Sequence, residues 1–144
     1  MKKFEFRLAA ALMARNADLE LKQGELANVN QRLALGQELL ETRQVEFKQI
    51  ASAGPRQGAG FDPALELQRQ RHLDHVRNEV ETRRELVRQL EGERDEAQAK
   101  VAQAYRDVRA LEILEEKDRA AWLLEFKREE QKMADDRNSQ RHGR

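Results

Sequence analysis

The chain has no cysteine in its 144 residues, and this one absence removes disulfides, thiolate nucleophiles and thiolate metal sites together. Proline occurs twice and aromatics make up only 5%, too few for an ordinary compact core. Lys plus Arg equals Asp plus Glu at 27 each, so no bulk field draws the chain to nucleic acid or to an anionic membrane. No apolar run approaches the length of a signal-peptide core or a membrane span, and the expectation is a soluble, cytoplasmic chain without direct membrane insertion. What remains is 38% charged and rich in Glu, Arg, Lys, Gln, Ala and Leu, all good helix formers. Long solvated helices with a narrow buried seam follow from that usage.

The seam is written out between Leu8 and Ile50. Leu12, Leu19, Leu26, Leu33 and Leu40 recur every seventh residue, and Phe47 continues the series. The other seam position of the same heptad holds Leu8, Arg15, Lys22, Val29, Gly36, Arg43 and Ile50. One register kept over six heptads without a proline predicts a long helix that needs a partner helix. The charged members and Gly36 make the packing irregular, with long Arg and Lys stems covering apolar surface while their heads reach water. Phe4-Glu5-Phe6-Arg7-Leu8 alternates like a strand, but no second strand exists to pair with it, so helix is expected from about Phe4 to about 51.

The pattern breaks over about 52–62, where Gly54 supplies a C-cap, Pro55 prevents continuation, and Asp62-Pro63 reads as an N-cap followed by proline at the first helical position. A second helix is expected from about 63 to 137, with a frayed tail at 138–144. Its seam is Leu73, Val76, Val80, Arg83, Val87, Leu90, Arg94, Ala97, Val101, Ala104, Val108 and Leu111, in alternating steps of three and four. Glu79 with Arg83 and Glu96 with Lys100 are spaced for favourable i,i+4 pairs. Gly92 in mid-helix is a soft point. The expected fold is all-α: one long antiparallel two-helix coiled-coil hairpin, in a single domain, with an extended C-terminal helix.

At 1.5 Å per residue the two arms measure roughly 70 Å and 110 Å. Folding back at the loop, with Ile50 near Pro63, puts Leu8 near Tyr105 and leaves the second helix unpaired beyond about Leu111. That unpaired run carries Leu114, Trp122, Leu123, Leu124 and Phe126, more apolar surface than a solvated helix end needs. Three readings account for it: a different protein, a second copy of the chain, or a folded-back N-terminus in a shifted register.

Catalytic constellations are absent from the pattern. Paired carboxylates sit on exposed helix faces, the serines Ser52 and Ser139 lie in flexible stretches, and Gly54–Gly60 has neither the lysine nor the strand of a phosphate loop. His72, His75 and Glu79 are spaced to put up to three ligands along one face, though solvated histidines are the commoner outcome. The arginines around Arg69, Arg71, Arg77, Arg83 and Arg84 are interspersed with acids and lack aromatics, unlike a nucleic-acid surface. The chain reads as non-enzymatic, with no cofactor and no metal, and as a monomer when free.

Two stretches carry a resemblance. The opening Phe4-Glu5-Phe6-Arg7-Leu8 with Leu12 and Arg15, and the closing run Leu111-Glu112-Ile113-Leu114-Glu115-Glu116-Lys117, Trp122 and Arg128-Glu129-Glu130-Gln131-Lys132-Met133-Ala134-Asp135-Asp136, resemble the flagellar FliJ family. The resemblance extends to total length and to the two long helices. It implies a stalk-like soluble component of the flagellar type III export apparatus, with roles in flagellum biogenesis, motility and chemotaxis. Implied partners are the export ATPase hexamer, the cytoplasmic domain of the membrane export gate and export chaperones. The resemblance also implies an ATPase-facing surface at Phe4, Phe6, Leu8, Leu111, Leu114, Trp122, Phe126, Glu129, Gln131 and Lys132, and a gate-facing one at Leu40 and Phe47. Arg43 departs from the aromatic expected there, and Leu40 and Phe47 also have a plain role in the seam. The stalk protein of a virulence-type secretion system is the near alternative, and a structural adaptor unrelated to secretion the distant one.

Overall fold

The computed structural model describes residues 2–54 and 60–143. It holds two helices, α1 (Ala9–Ala53) and α2 (Pro63–His142), and no strand among the described residues. The fold is all-α, with α1 and α2 packed on each other as an antiparallel hairpin. Its contacts divide into two units, Gln23–Lys100 and Met1–Lys22 with Val101–Arg144, each made from a piece of either helix.

The helix ends follow their local chemistry. Gly54 takes a left-handed conformation, φ 61°, which a glycine adopts without steric cost, and closes α1. The Oδ1 of Asp62 accepts a 3.0 Å hydrogen bond from the Ala64 amide, satisfying one of the orphan donors at the start of α2. Pro55, read as the residue that stops the first helix, lies outside the described residues. At the other end α2 continues through 138–142, the stretch whose polar composition reads as frayed. Arg141 and His142 in the last turn complement the helix dipole, and the next residue that opposes helix is Gly143.

In the Gln23–Lys100 unit the core is narrow, as the heptads require. Val29, Leu33, Val76, Val80, Val87 and Leu90 are buried, and Leu33, Val87 and Leu90 form a cluster against which Leu40 packs. Burying such a side chain contributes about 1.5–3 kcal/mol, so a handful of them dominates the pairing. Gly36 is buried among them. A Cβ there would stand 3.3 Å from Leu90 Cδ1 and 3.6 Å from Val87 Cγ2, so the missing side chain is the space that Leu90 occupies. Charged residues at and beside the seam form ion pairs both across and within the helices. Arg43 Nε lies 2.7 Å from Glu79 and its Nη1 2.6 Å from Glu46, and Arg32 bridges to Glu93 at 2.8 Å. Glu79 therefore serves Arg43 and His75 rather than the Arg83 suggested by i,i+4 spacing.

The register differs from the one expected. α2 begins before it faces α1: Leu65 and Leu67 are exposed, and Arg69 Nη1 donates at 3.0 Å to the Ile50 carbonyl at the end of α1. Leu73 is the first half-buried residue of the second seam. Seam therefore pairs with seam rather than helix end with helix start, because only the seams bury apolar surface. The same offset governs the other unit, where Arg15 meets Asp107 at 3.5 Å and Arg7 meets Asp118 at 3.9 Å, roughly three helical turns further along α2 than pairing from the loop predicts.

Residues 2–6 are not helical, and α1 begins at Ala9 rather than near Phe4, with the Ala9 amide donating to the Phe6 carbonyl at 3.1 Å. Exposure alternates over this stretch, with Lys3 and Glu5 exposed, Phe4 half-buried and Phe6 buried. A helix would turn Phe4 and Phe6 to different sides, whereas the non-helical segment puts both against α2. The partner missing for a strand is supplied by a helix face.

Two expectations follow. The Gly92 Cβ position is open, so Gly92→Ala should raise unfolding free energy by about 0.5–1 kcal/mol, whereas Gly36→Leu should lower it by about 1–3 kcal/mol through overpacking against Leu90, both read by urea denaturation. The Glu66 carboxyl is held below its usual range by the hydrogen bond from Arg69, with the partner charge adding to it. A lowered folded pKa contributes stability above the ordinary glutamate range and loses it as pH falls through the folded value. Glu66→Gln should therefore melt below the parent at neutral pH, and the gap should close on acidification past that range; a gap that stays constant with pH contradicts the assignment.

Candidate protein-binding surfaces

Near the termini an aromatic cluster forms between the start of the chain and α2. Trp122 and Phe126, four residues apart on one helix face, stack at 5.3 Å between ring centroids with 18° between planes. Phe4 lies 6.0 Å from Trp122 at 57°, and the Arg119 guanidinium sits 4.9 Å above the Phe4 ring. Trp122 Nε1 donates to the Lys2 carbonyl at 3.2 Å, giving the indole its polar partner. In the same unit Phe6, Ala104 and Val108 are buried, with Leu8, Leu12 and Leu111 half-buried.

The residues predicted for the ATPase-facing surface thus fall into two sets. Phe4, Trp122 and Phe126 pack in one aromatic cluster, and Phe6, Leu8 and Leu111 are buried or half-buried in the same unit. Of the three readings of the apolar run, the folded-back N-terminus accounts for Trp122, on which Phe126 stacks, and α2 is not unpaired beyond Leu111. The inner seam simply continues through Glu115 and Asp118 to Trp122, all half-buried, with Asp118 taking Arg7. Those carboxylates hide the continuation from a search for apolar heptads. Leu114, Glu129, Gln131 and Lys132 remain at the surface, and every described residue from Lys127 to Gly143 is exposed.

The gate-facing pair separates in the same way. Leu40 packs against the buried cluster, whereas Phe47 is half-buried with the Arg77 guanidinium 5.5 Å from its ring. Phe47 also borders an open groove with Gln44, Lys48, Arg77, Val80, Glu81 and Arg84. Arg43 is held charged by its hydrogen bond to Glu46 and by the Glu79 carboxylate, which raise its pKa, so it acts as a tie between the helices rather than as part of an apolar patch. The histidines take carboxylate neighbours: His75 Nε2 is 2.9 Å from Glu79 and His72 Nε2 3.7 Å from Glu46. Among the described residues no group of three or more His, Asp or Glu is arranged to hold a metal ion, and no helix is long and apolar enough to cross a membrane.

Sequence reasoning missed Arg119 as the cation over Phe4, and the Lys2 carbonyl as the partner of Trp122. The Phe4-Glu5-Phe6 alternation was the available signal for the first segment.

Helices held along a mixed apolar and charged seam, with their remaining side chains turned to solvent, define a coiled-coil protein that acts by contact. Comparison with known families takes this one step further. The chain belongs to the Flagellar FliJ protein family, which matches residues 4–144. It is a non-enzymatic, stalk-like protein of flagellar type III secretion. No curated protein and no solved structure matches it.

The single tryptophan reports on the cluster. Phe4→Ala should shift Trp122 emission to longer wavelength and lower the unfolding free energy by about 1–2 kcal/mol, the sum of an aromatic pair and an exposed cation–π contact. An unchanged emission maximum would show that Phe4 does not shield the indole.

Proposed function

We propose that this protein binds the export ATPase hexamer through the end that carries its termini and couples it to the membrane export gate. The observation that carries this reading is the helical stretch of α2 after Phe126, exposed from Lys127 to His142. About four turns of helix gain little from propensity alone, and a surrounding protein would offer the contacts that α1 does not. Glu129, Gln131 and Lys132 on that stretch present one acid, one amide and one base. Such side chains suit the polar wall of a ring better than a greasy socket. The aromatic cluster beneath them serves as the base that fixes their direction.

The gate-facing surface lies, on this reading, around Phe47 and its groove, with Leu40 acting from the core behind it. Export chaperones complete the partners, and the protein works in the cytoplasm, peripheral to the inner membrane and monomeric when free. It contributes binding free energy and geometry: an asymmetric stalk contacts ring subunits unequally and so biases their states, and the bias reaches the gate through the same helices. Membership of the family supports the partners, and the absence of bond-making chemistry in the family supports the mode.

The test uses purified full-length protein and export ATPase. Glu129→Ala, Gln131→Ala and Lys132→Ala together should weaken binding by about tenfold, near 1.4 kcal/mol, while circular dichroism and thermal midpoint stay at parental values. Parental affinity in a correctly folded triple variant would reject this face as the ATPase contact.

A further inference from the structure

α2 carries a second seam that faces away from α1. Arg106, Ala110, Ile113, Lys117, Ala120, Leu124 and Lys127 recur in alternating steps of four and three, and all are exposed. From Ala110 to Leu124 each position lies two residues beyond an inner-seam residue, Val108, Leu111, Glu115, Asp118 and Trp122 in turn, which is more than half a turn around the helix. Leu114, Ala121 and Arg128 widen it by one residue. Leu124 is 53% and Ile113 39% exposed, so large apolar side chains stand on the face that the N-terminal segment and α1 leave uncovered.

The two faces of α2 differ in charge. The inner one holds the acids Glu115 and Asp118, matched by Arg119 and Arg7. The outer one is framed by cations. Arg106, Lys117, Lys127 and Arg128 form no ion pair among the described residues; of the acids nearby, Glu116 is taken by Arg109 at 3.3 Å, and Glu125, which also forms no ion pair, leaves the bases in excess. Apolar residues at heptad spacing with unneutralised bases at both ends and in the middle fit an amphipathic helix of opposite charge. A second copy of this chain fits poorly. Laid antiparallel on itself about Lys117, the stripe would set Lys117 against Lys117 and Arg106 against Arg128.

We infer that the outer face of α2 between Arg106 and Arg128 is a docking site for an acidic amphipathic helix of a partner protein. Leucine-like side chains of that helix would lie over Ala110, Ile113, Ala120, Ala121 and Leu124, the alanines admitting close approach, and its carboxylates would reach Lys117, Lys127 and Arg128. The contact shares Lys127 and Arg128 with the start of the exposed stretch but none of Glu129, Gln131 and Lys132, whose substitution tests the ATPase assignment, so it stands whether or not that assignment does.

The probe is a synthetic helical peptide with leucine at i, i+3, i+4 and i+7 and glutamate flanking them, titrated against the full chain by fluorescence anisotropy beside an otherwise identical peptide with lysine in place of glutamate. The glutamate peptide should bind and the lysine peptide should not. Ile113→Asp with Leu124→Asp should weaken binding by about tenfold or more. Because those aspartates could disturb the helix, a second variant, Lys117→Glu with Lys127→Glu and Arg128→Glu, keeps the apolar residues and should reverse the preference between the peptides. Equal binding of both peptides, or indifference to both variants, overturns the inference. So does light scattering that shows a dimer of the parent which Ile113→Asp with Leu124→Asp dissociates, since a second copy would then be the occupant.

Discussion

Only a narrow strip of each helix is apolar, and the burial of one strip against the other is what the rest of the structure depends on. With so little surface to hide, the free energy of pairing is set by how completely the two seams overlap. Overlap is complete when the last seam residue of α1, Ile50, meets the first of α2, near Leu73, even though α2 starts ten residues earlier at Pro63. The early turns of α2 are left over, and Arg69 uses them to cap the Ile50 carbonyl, one of the acceptors that a helix C-terminus leaves without a partner. In the unit formed by the termini, the same preference brings the opening residues to Trp122. A register chosen by the helix ends would have left the indole without the opening residues against it.

Polar seam residues act on that register more than on stability. Arg43 with Glu79, Arg15 with Asp107 and Arg7 with Asp118 are all partly exposed, and pairs of this kind contribute at most about 1 kcal/mol each. A slip of one heptad, however, would separate each arginine from its carboxylate and bury part of a charge without a partner. Gly36 works by shape to the same end. The hollow it leaves accepts Leu90, and in a register slipped by one heptad Leu90 would face Val29 or Arg43 instead of a glycine. Charge and volume thus discriminate between alignments that hydrophobic spacing alone would treat as nearly equivalent.

This explains which parts of the protein were legible in its residues. Period and composition were sufficient for the helices and for both seams. All twelve residues read as the second seam, from Leu73 to Leu111, are buried or half-buried. Spacing is a local property and carries no origin, so it could not say which turn of α2 faces which turn of α1; that depends on a comparison of seam ends across the loop. Phe4-Glu5-Phe6 was misread for a related reason. Its alternation belongs to a non-helical segment whose partner is a helix, and a search for a second strand could not find it. For the candidate surfaces, the residue types were visible but their allocation was not. Trp122 and Phe126 looked like free apolar surface until Lys2 and Phe4 were brought beside them.

The reallocation changes what a partner must recognise. The most aromatic part of the chain is already engaged internally, where Trp122 meets the Lys2 carbonyl, Phe4 and Phe126. The side chains that the fold does not consume are the polar ones after Phe126 and those two residues beyond each inner-seam position on α2. Because the inner and outer positions interleave, substitutions can alter one face while leaving the other in place. Ile113 and Leu124 are exposed, whereas Leu111 and Trp122, two residues earlier in each case, are half-buried. A single helix can thereby hold the fold together on one side and remain free to select a partner on the other, with charge as the discriminator: acids turned inward toward arginines, bases turned outward toward whatever brings carboxylates to them.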